Sequence, residues 1–178
     1  DAAEAIAVDI DPLPVIVTPE DAIKPGAPLV YDDVPGNVVL DYHFGDSEKV
    51  AEAFAKAACT VSVDLLNTRL VVNPMEPRAA LATYDKKARA FTIHMPTQGV
   101  TAARLLLSKD LLKIPAEDVR IISDDVGGSF GMKFATYPEY ACILHAAKAR
   151  GRPVKWTDER PTSFLSDSHG RAQLFHAE

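Results

Sequence analysis

A glycine-rich segment between two regular elements limits the folds that this chain can adopt. Residues 127–133 read GGSFGMK, with three glycines in the first five positions. An apolar run at residues 119–123 precedes the segment and predicts a strand, and residues 140–148 predict a helix. Glycine permits positive φ, and a strand-to-helix passage can aim backbone N–H groups at a ligand. The segment therefore predicts a backbone cradle for an anionic or oxo-bearing group, with a simple connecting turn as the alternative.

The spacing of these glycines does not fit the two common phosphate-binding loops. A Walker loop requires G-x-x-x-x-G-K-[ST], whereas Met132 separates Gly131 from Lys133 here. The dinucleotide fingerprint G-x-G-x-x-G also fails, because the glycines run G-G-x-x-G. A phosphate- or nucleotide-binding enzyme that uses this loop is therefore disfavoured.

Composition and charge limit the class of protein and its partners. The net charge is −6, which argues against nucleic acid, since proteins that bind nucleic acid carry a basic face. No apolar run approaches the roughly 18–20 residues needed to span a bilayer. Cys59 and Cys142 are too few and too far apart for an iron–sulfur or zinc site, and the histidines lack metal-binding spacings. We therefore expect a cytoplasmic setting, no transmembrane segment and no metal held by side chains.

The two parts of the chain differ in their predicted structure. Residues 1–42 contain six prolines, two predicted strands at 7–11 and 15–17, and a short helix that begins after Thr18. The later predicted elements are a helix from residue 46, strands at 60–65, 79–84, 90–95 and 119–123, helices at 99–112 and 140–148, and a strand at 172–176. This order predicts an α+β fold with a mixed, largely antiparallel sheet and packed helices.

An ordered series of motifs accompanies the glycine loop. The motifs are NPMEPRAALATYD at residues 73–85, PTQG at 96–99, YPEY at 137–140, GRPVKW at 151–156, DER at 158–160 and SDSHGR at 166–171. In order and spacing they resemble the molybdenum-binding large subunit of the xanthine dehydrogenase and aldehyde oxidase family. Within that family the chain looks most like the aerobic-type carbon monoxide dehydrogenase large subunits. The resemblance covers nearly the whole chain.

The resemblance implies which residues bind the cofactor. They are Gln98, Gly127, Gly128, Phe130 and Gly131. In the family, the matching glutamine contacts the oxo group at molybdenum, the loop brings N–H groups toward the metal, and the aromatic residue lies near the substrate pocket. On position alone, Gln98 would be a helix-start residue and Phe130 a core residue that anchors the turn. Phe134 stands where purine-hydroxylating members usually place glutamate, so a purine substrate is not expected.

The resemblance also implies a longer parent protein. We expect a fragment of a molybdenum hydroxylase large subunit, an oxidoreductase that oxidises carbon monoxide or an aldehyde or heterocycle carbon with water as oxygen donor. Its cofactor would be molybdenum-molybdopterin in the cytosine dinucleotide form, with iron–sulfur clusters and FAD on partner subunits. The general base is expected beyond Glu178, so this fragment would hold no catalytic residue and be inactive alone. The alternative is a non-catalytic interaction domain without cofactor.

The remaining expectations concern the domain boundary, further partners and the charged residues. Residues 1–42 match the C-terminal tail of a small β-rich, hammerhead-like domain plus a linker, and residues 43–178 the N-terminal part of the molybdopterin-binding domain. The remainder of the large subunit would be a partner, together with a small-molecule substrate. We expect Arg78 to be structural and to pair with Glu76 or a neighbouring carboxylate. The charged side chains of residues 152–160 predict a solvated surface or domain contact.

Overall fold

The chain divides into two units, as seen in a computed structural model that describes residue 2 and residues 4–178. The larger unit comprises Arg69–Arg171, and the smaller one combines the residues up to Thr68 with Ala172–Glu178. Asp1 and Ala3, which belong to the segment predicted as a domain tail, lie outside the described residues. The assignment of residues 1–42 and 43–178 to two domains of a parent protein stays a prediction.

Helices and strands alternate along the chain. They are α1 (Pro19–Ala22), α2 (Ser47–Lys56), β1 (Val63–Asn67), β2 (Ala79–Asp85), β3 (Ala90–His94), α3 (Val100–Leu105), β4 (Val119–Ile122), α4 (Pro138–Arg150), β5 (Val154–Thr157), α5 (Arg160–Ser166) and β6 (Gln173–Ala177). A π-helical segment, Leu106–Leu112, continues α3, and 3-10 turns lie at Pro35–Asn37, Ala116–Asp118 and Met132–Phe134. None of the helices in the described part of the chain is long and apolar enough to cross a membrane.

The larger unit is built on a four-stranded sheet with the order β4-β3-β2-β5. β2 pairs antiparallel with β3 and with β5, whereas β3 and β4 are parallel. In the smaller unit, β1 and β6 form a separate antiparallel ribbon. The α+β fold with a mixed, largely antiparallel sheet is therefore confirmed.

Alternating apolar residues on the strands face helix α4. Ala80 and Ala82 of β2 are buried, as are Phe91 and Ile93 of β3, so each strand buries every second residue. Helix α4 contacts β2 and β5. The helix presents a buried stripe of four residues at helical spacing, Tyr140, Ile143, Leu144 and Ala147. The core of the larger unit thus follows from the two periodicities read in the sequence.

The predicted helix starts are confirmed, and a polar side chain also closes a turn. The side chain of Thr18 accepts a hydrogen bond from the N–H of Asp21 at the start of α1, and Asp46 accepts one from Lys49 at the start of α2. Asp85 closes the turn between β2 and β3, because its side chain accepts hydrogen bonds from the N–H groups of Lys87 and Ala88. Each signal acts within about four residues.

The helix predicted over residues 99–112 is regular only as far as Leu105. Its second half is the π-helical segment Leu106–Leu112. Ser108 is buried there and donates its hydroxyl to the carbonyl oxygens of Arg104 and Leu105. Such bonding back to the preceding turn competes with the regular helix ladder and bends helices.

The strands predicted at residues 7–11 and 15–17 are wrong. Both segments are irregular, and their apolar residues are exposed, with Val8 and Val15 retaining 75% and 79% of their accessible surface. Alternation produces a strand only where a neighbouring strand pairs with the backbone N–H and C=O groups. Among the described residues, no strand pairs with either segment.

One buried guanidinium, that of Arg78, joins four parts of the larger unit. Its Nε lies 2.5 Å from Asp167, its two terminal nitrogens lie 3.1 and 3.2 Å from the carboxylate oxygens of Glu139, and Nη2 lies 3.3 Å from Asp158. The guanidinium also stacks 3.8 Å from the centroid of the Tyr137 ring. Burial opposes the charge, but the hydrogen bonds to Glu139 and Asp167 outweigh it and raise the pKa of Arg78.

Two expectations for charged residues hold only in part: Arg78 is structural as expected, but its partners and the exposure of residues 152–160 differ. Arg78 pairs with Glu139, Asp158 and Asp167 and not with Glu76. The charged segment at residues 152–160 is not wholly a solvated surface, because only 3% of the Asp158 side chain is exposed. When opposite charges lie far apart along the chain, the sequence does not indicate which of them will form ion pairs.

Replacing Arg78 with methionine should strongly destabilise the larger unit. The substitution Arg78→Met leaves buried carboxylates without their cation, and breaking a buried pair in this way costs about 3–5 kcal/mol. The free energy of unfolding can be measured by urea denaturation followed through Trp156, the single tryptophan of the chain. Arg104→Met, at an exposed position of α3, is the matched control and should change stability by about 0.5 kcal/mol or less. Equal losses in the two variants would contradict the central role of Arg78.

The difference in stability between wild type and Arg78→Met should narrow at low pH. Partial burial opposes ionisation of Glu139, but hydrogen bonds from Arg78 outweigh it and lower the pKa of this carboxyl. A carboxyl whose folded-state pKa lies below its unfolded value stabilises the fold above the unfolded pKa, and this contribution is lost as pH falls through the folded pKa. Urea denaturation of wild type and Arg78→Met from pH 7 to below about pH 4 will show whether their free energies of unfolding converge. A difference between the two that stays constant over that range would contradict the prediction.

Candidate functional site

The parallel pairing of β3 and β4 brings two predicted site segments together. Gln98 follows β3, and the glycine loop (residues 127–131) follows β4. Neighbouring parallel strands end at the same edge of a sheet, which is where ligands commonly bind in sheets with parallel strands. Thr97 extends the connection beyond the strands, because its N–H donates to the hydroxyl of Ser123 over 3.2 Å.

The side-chain amide of Gln98 is held in one orientation by the glycine loop. Its Oε1 accepts a hydrogen bond from the N–H of Gly131 at 3.1 Å and a second from the hydroxyl of Ser129. A backbone N–H can only donate, so the oxygen of the amide must face the loop. The NH2 group then points away, and no described residue accepts a hydrogen bond from it. Gln98 is exposed, so it presents two N–H donors at this edge of the sheet.

The backbone of the loop leaves open space next to Gln98. Gly128, Phe130 and Gly131 all have positive φ, at 99°, 51° and 92°. A Cβ added to Gly131 would meet no atom within 4 Å, whereas one on Gly128 would lie 3.1 Å from both Phe130 and Pro74. Gly131 therefore lines open space that a ligand can enter, and Gly128 allows the loop to pass close to Pro74. This arrangement fits a group that approaches the loop backbone.

Phe130 does not serve as a core anchor, the alternative considered for it. Its side chain is 79% exposed, and its backbone adopts the left-handed conformation that is unfavourable for a bulky residue. Such a conformation costs about 1–3 kcal/mol and persists only where the surroundings impose it. Phe134 adds a second aromatic group, since a Cβ on Gly99 would lie 3.0 Å from its ring. The site thus has apolar rings beside neutral N–H donors.

Gly127 lies against Glu76, with its N–H already engaged. Its N–H donates to Oε2 of Glu76 over 2.9 Å, and its carbonyl oxygen accepts the N–H of Glu76 at 3.1 Å. A Cβ on Gly127 would lie only 2.5 Å from the Cβ of Glu76, so no larger residue fits without movement. A contact between Gly127 and a cofactor stays a prediction, as do the contacts predicted for the other four site residues.

Three residues near the site were not identified from the sequence as part of it. They are Glu76, Ser129 and Lys133. Lys133 is buried, and its Nζ lies 2.7 Å from Oε2 of Glu76. The hydroxyl of Ser129 donates to Gln98. Partial burial opposes ionisation of Glu76, but the hydrogen bonds from Lys133 and from the N–H of Gly127 outweigh it and lower its pKa. The lysine two positions after the loop was the available signal, but nothing local identified a glutamate 57 positions earlier as its partner.

An open cavity of about 230 Å³ lies at the same edge of the sheet. Its polar lining residues are Glu76, His94, Asp124, Asp125 and Lys155. Within the described residues, no group of His, Cys, Asp or Glu side chains is arranged to hold a metal ion.

The two positive-φ glycines of the loop should differ in their tolerance of a side chain. Valine at either position must adopt an unfavourable φ, but only at Gly128 does the side chain also meet Pro74 and Phe130. We expect Gly128→Val to lower the free energy of unfolding by about 1–3 kcal/mol more than Gly131→Val, the usual cost of overpacking. Urea denaturation of both variants measures the difference. Equal losses would show that the space around Gly128 is not closed.

Comparisons with known proteins identify a cofactor-binding domain in this chain. The model of the molybdopterin cofactor-binding domain matches residues 30–178. The carbon monoxide dehydrogenase large chain of Hydrogenophaga pseudoflava is 35% identical over 98% of this chain and 24% of its own length. The nicotine 6-hydroxylase large subunit of Paenarthrobacter nicotinovorans is 31% identical over 98% of this chain and 21% of its own length.

Solved structures show the same relationship. The reconstituted CO dehydrogenase from Oligotropha carboxidovorans superposes with a TM-score of 0.80 at 31% identity, over 96% of this chain and 22% of its own. Quinoline 2-oxidoreductase from Pseudomonas putida 86 gives a TM-score of 0.81 at 30% identity, over 97% of this chain and 22% of its own. This chain spans about a quarter of the length of the curated relatives it matches. The match over residues 30–178 confirms the resemblance read from the motifs, and the chain belongs to the molybdopterin cofactor-binding domain family.

Proposed function

We propose that this chain forms one face of the cofactor site in a molybdenum hydroxylase large subunit. The observation that carries the proposal is the Gln98 amide, whose oxygen is bound by the N–H of Gly131 while its NH2 group has no acceptor among the described residues. Two exposed donors suit an acceptor-rich ligand group. Family membership supports molybdopterin as that ligand.

Each residue of the site contributes without changing charge. Gln98 donates its N–H groups to an acceptor atom of the cofactor, and Gly131 leaves the space through which the cofactor approaches. Bound molybdopterin supplies the molybdenum centre at which a carbon substrate is oxidised with water as the oxygen source. Neutral donors fixed in advance stabilise negative charge as it develops, at no cost of rearrangement. Gly127 and Gly128 shape the loop behind these contacts.

Two aromatic rings define the substrate side of the site. Phe130 is exposed and Phe134 is about half exposed, so both can pack against an apolar substrate or cofactor surface. Phe134 supplies no carboxylate for a heterocycle N–H, so we do not propose a purine substrate. The named relatives act on carbon monoxide, nicotine and quinoline. We propose a substrate in the same range: carbon monoxide, an aldehyde or a heterocycle carbon.

The remaining components of the reaction are assigned to the parent protein and its partners. We propose that the cofactor is the cytosine dinucleotide form and that the general base lies elsewhere in the large subunit. Partner subunits would carry iron–sulfur clusters and FAD and receive the electrons. In this proposal residues 1–42 are the tail of a β-rich domain with its linker, and residues 43–178 begin the cofactor domain.

The proposal predicts that Gln98→Ala will impair turnover far more than folding. Loss of one preorganised donor to developing charge typically lowers kcat by about 10²–10³-fold. The parent protein should be purified with its partner subunits, and molybdenum, pterin, protein yield and turnover measured on the same sample. Gln173→Ala is the matched control, because Gln173 is an exposed glutamine of β6 that bonds to Asn67.

Two outcomes would count against this assignment. A well-folded wild-type complex without molybdenum and pterin would refute the cofactor itself. Normal turnover in Gln98→Ala, with cofactor present, would show that the site lies elsewhere.

A further inference from the structure

Glu76, Ser129 and Lys133 form a hydrogen-bonded chain that ends on Gln98, and we call this set the loop clamp. We propose that the loop clamp is a positioning device that keeps the oxygen of the Gln98 amide toward the loop and its NH2 group toward the ligand. This inference rests on the proposed function only in taking the NH2 side of Gln98 as the side that meets the ligand. The three residues contact the loop, and none of them is proposed to touch the cofactor.

Lys133 connects three separate segments of the larger unit. Its Nζ donates to Glu76 over 2.7 Å, its backbone N–H donates to the hydroxyl of Ser129 over 3.1 Å, and its carbonyl oxygen accepts the hydroxyl of Thr97 at 3.0 Å. The lysine side chain is fully buried. A buried ammonium is costly unless it is paired, so the position of Lys133 depends on Glu76.

Glu76 holds both ends of the glycine loop through one oxygen atom. Its Oε2 accepts the N–H of Gly127, at the start of the loop, and the Nζ of Lys133, just beyond its end. The backbone of Glu76 adds a third bond, because its N–H donates to the carbonyl oxygen of Gly127. The separation between the two ends of the loop is therefore set from outside the loop.

Ser129 transmits this fixed geometry to Gln98. Its oxygen accepts the N–H of Lys133, and its own proton is then available for Oε1 of Gln98. Together with the N–H of Gly131, two donors converge on Oε1. Rotation of the amide by 180° would place its NH2 group against the Gly131 N–H, two donors facing each other. The hydroxyl of Ser129 thus reinforces one of the two possible amide orientations.

A purely structural role for Ser129 predicts a different result from a positioning role. A structural residue affects stability and the order of the whole loop, whereas a positioning residue affects the side-chain amide of Gln98 specifically. The backbone φ of Ser129 is not positive, so threonine can occupy the position and keep the hydroxyl. Alanine removes only the hydroxyl and leaves the Glu76–Lys133 ion pair in place. Threonine rescue therefore separates the two roles.

The test is the mobility of the Gln98 side-chain NH2 group in the ligand-free chain, measured by ¹⁵N relaxation. In wild type we expect an order parameter near that of rigid backbone, about 0.85, and in Ser129→Ala a fall below about 0.6. Ser129→Thr should restore the wild-type value. Ser62→Ala, at an exposed serine of the smaller unit, is the matched control and should leave the value unchanged. Lys133→Met and Glu76→Gln should also lower it.

Unchanged order of the Gln98 amide in a folded Ser129→Ala chain would overturn the proposal. Equal loss of order in the alanine and threonine variants would also overturn it, because the hydroxyl would then not be responsible. If Ser129→Ala does not fold, Ser129→Cys replaces the hydroxyl with a weak S–H donor of similar size and is read in the same way. Unfolding of the Lys133 or Glu76 variants leaves the decision with the Ser129 variants. No cofactor is used, so an absence of molybdenum from the parent complex would refute the proposed function and leave this result standing.

Discussion

The buried guanidinium of Arg78 is the interaction on which the larger unit depends. It ties the segment before β2 to α4, to the connection between β5 and α5 and to the residue after α5, through Glu139, Asp158 and Asp167. The ring of Tyr137 lies under the guanidinium, and its hydroxyl donates to the carbonyl oxygen of Met132 over 3.0 Å. Met132 directly follows the glycine loop. The charge network in the core therefore also fixes the end of the loop that forms the site.

The site combines two kinds of polar interaction around the glycine loop. One is the ion pair between Lys133 and Glu76, in which the lysine side chain is fully buried and 38% of the glutamate side chain is exposed. The other is the exposed Gln98 amide, whose oxygen accepts the N–H of Gly131 and whose NH2 group offers neutral donors. Charges hold the loop in place, and uncharged N–H groups face the ligand. This division suits a ligand whose charge changes during reaction, since the fixed donors do not have to change protonation state.

The strained backbone of the loop is consistent with this arrangement. Phe130 carries an aromatic side chain in a left-handed conformation, which persists only where neighbouring contacts impose it. Bonds from Glu76 at one end and from Ser129 to Gln98 within the loop provide such contacts. The exposed ring of Phe130 is the result, and it lies 3.1 Å from the position that a Cβ on Gly128 would occupy.

The sequence by itself determined the elements whose signals are local and the family to which the chain belongs. Thr18 and Asp46 start helices through bonds to residues three positions ahead, and alternation along β2 and β3 shows which side chains are buried, because these effects involve near neighbours. The ordered motifs around residues 127–133 identified the family. The strand partners were decided only by the tertiary structure. Residues 7–11 alternate like a strand but are irregular, because no strand among the described residues pairs with them. The tertiary structure also decided the carboxylates around Arg78, 61 to 89 positions away, and the direction of the Gln98 amide. Each of these depends on which groups meet through space after the sheet has formed, and no pattern of neighbouring residues records that.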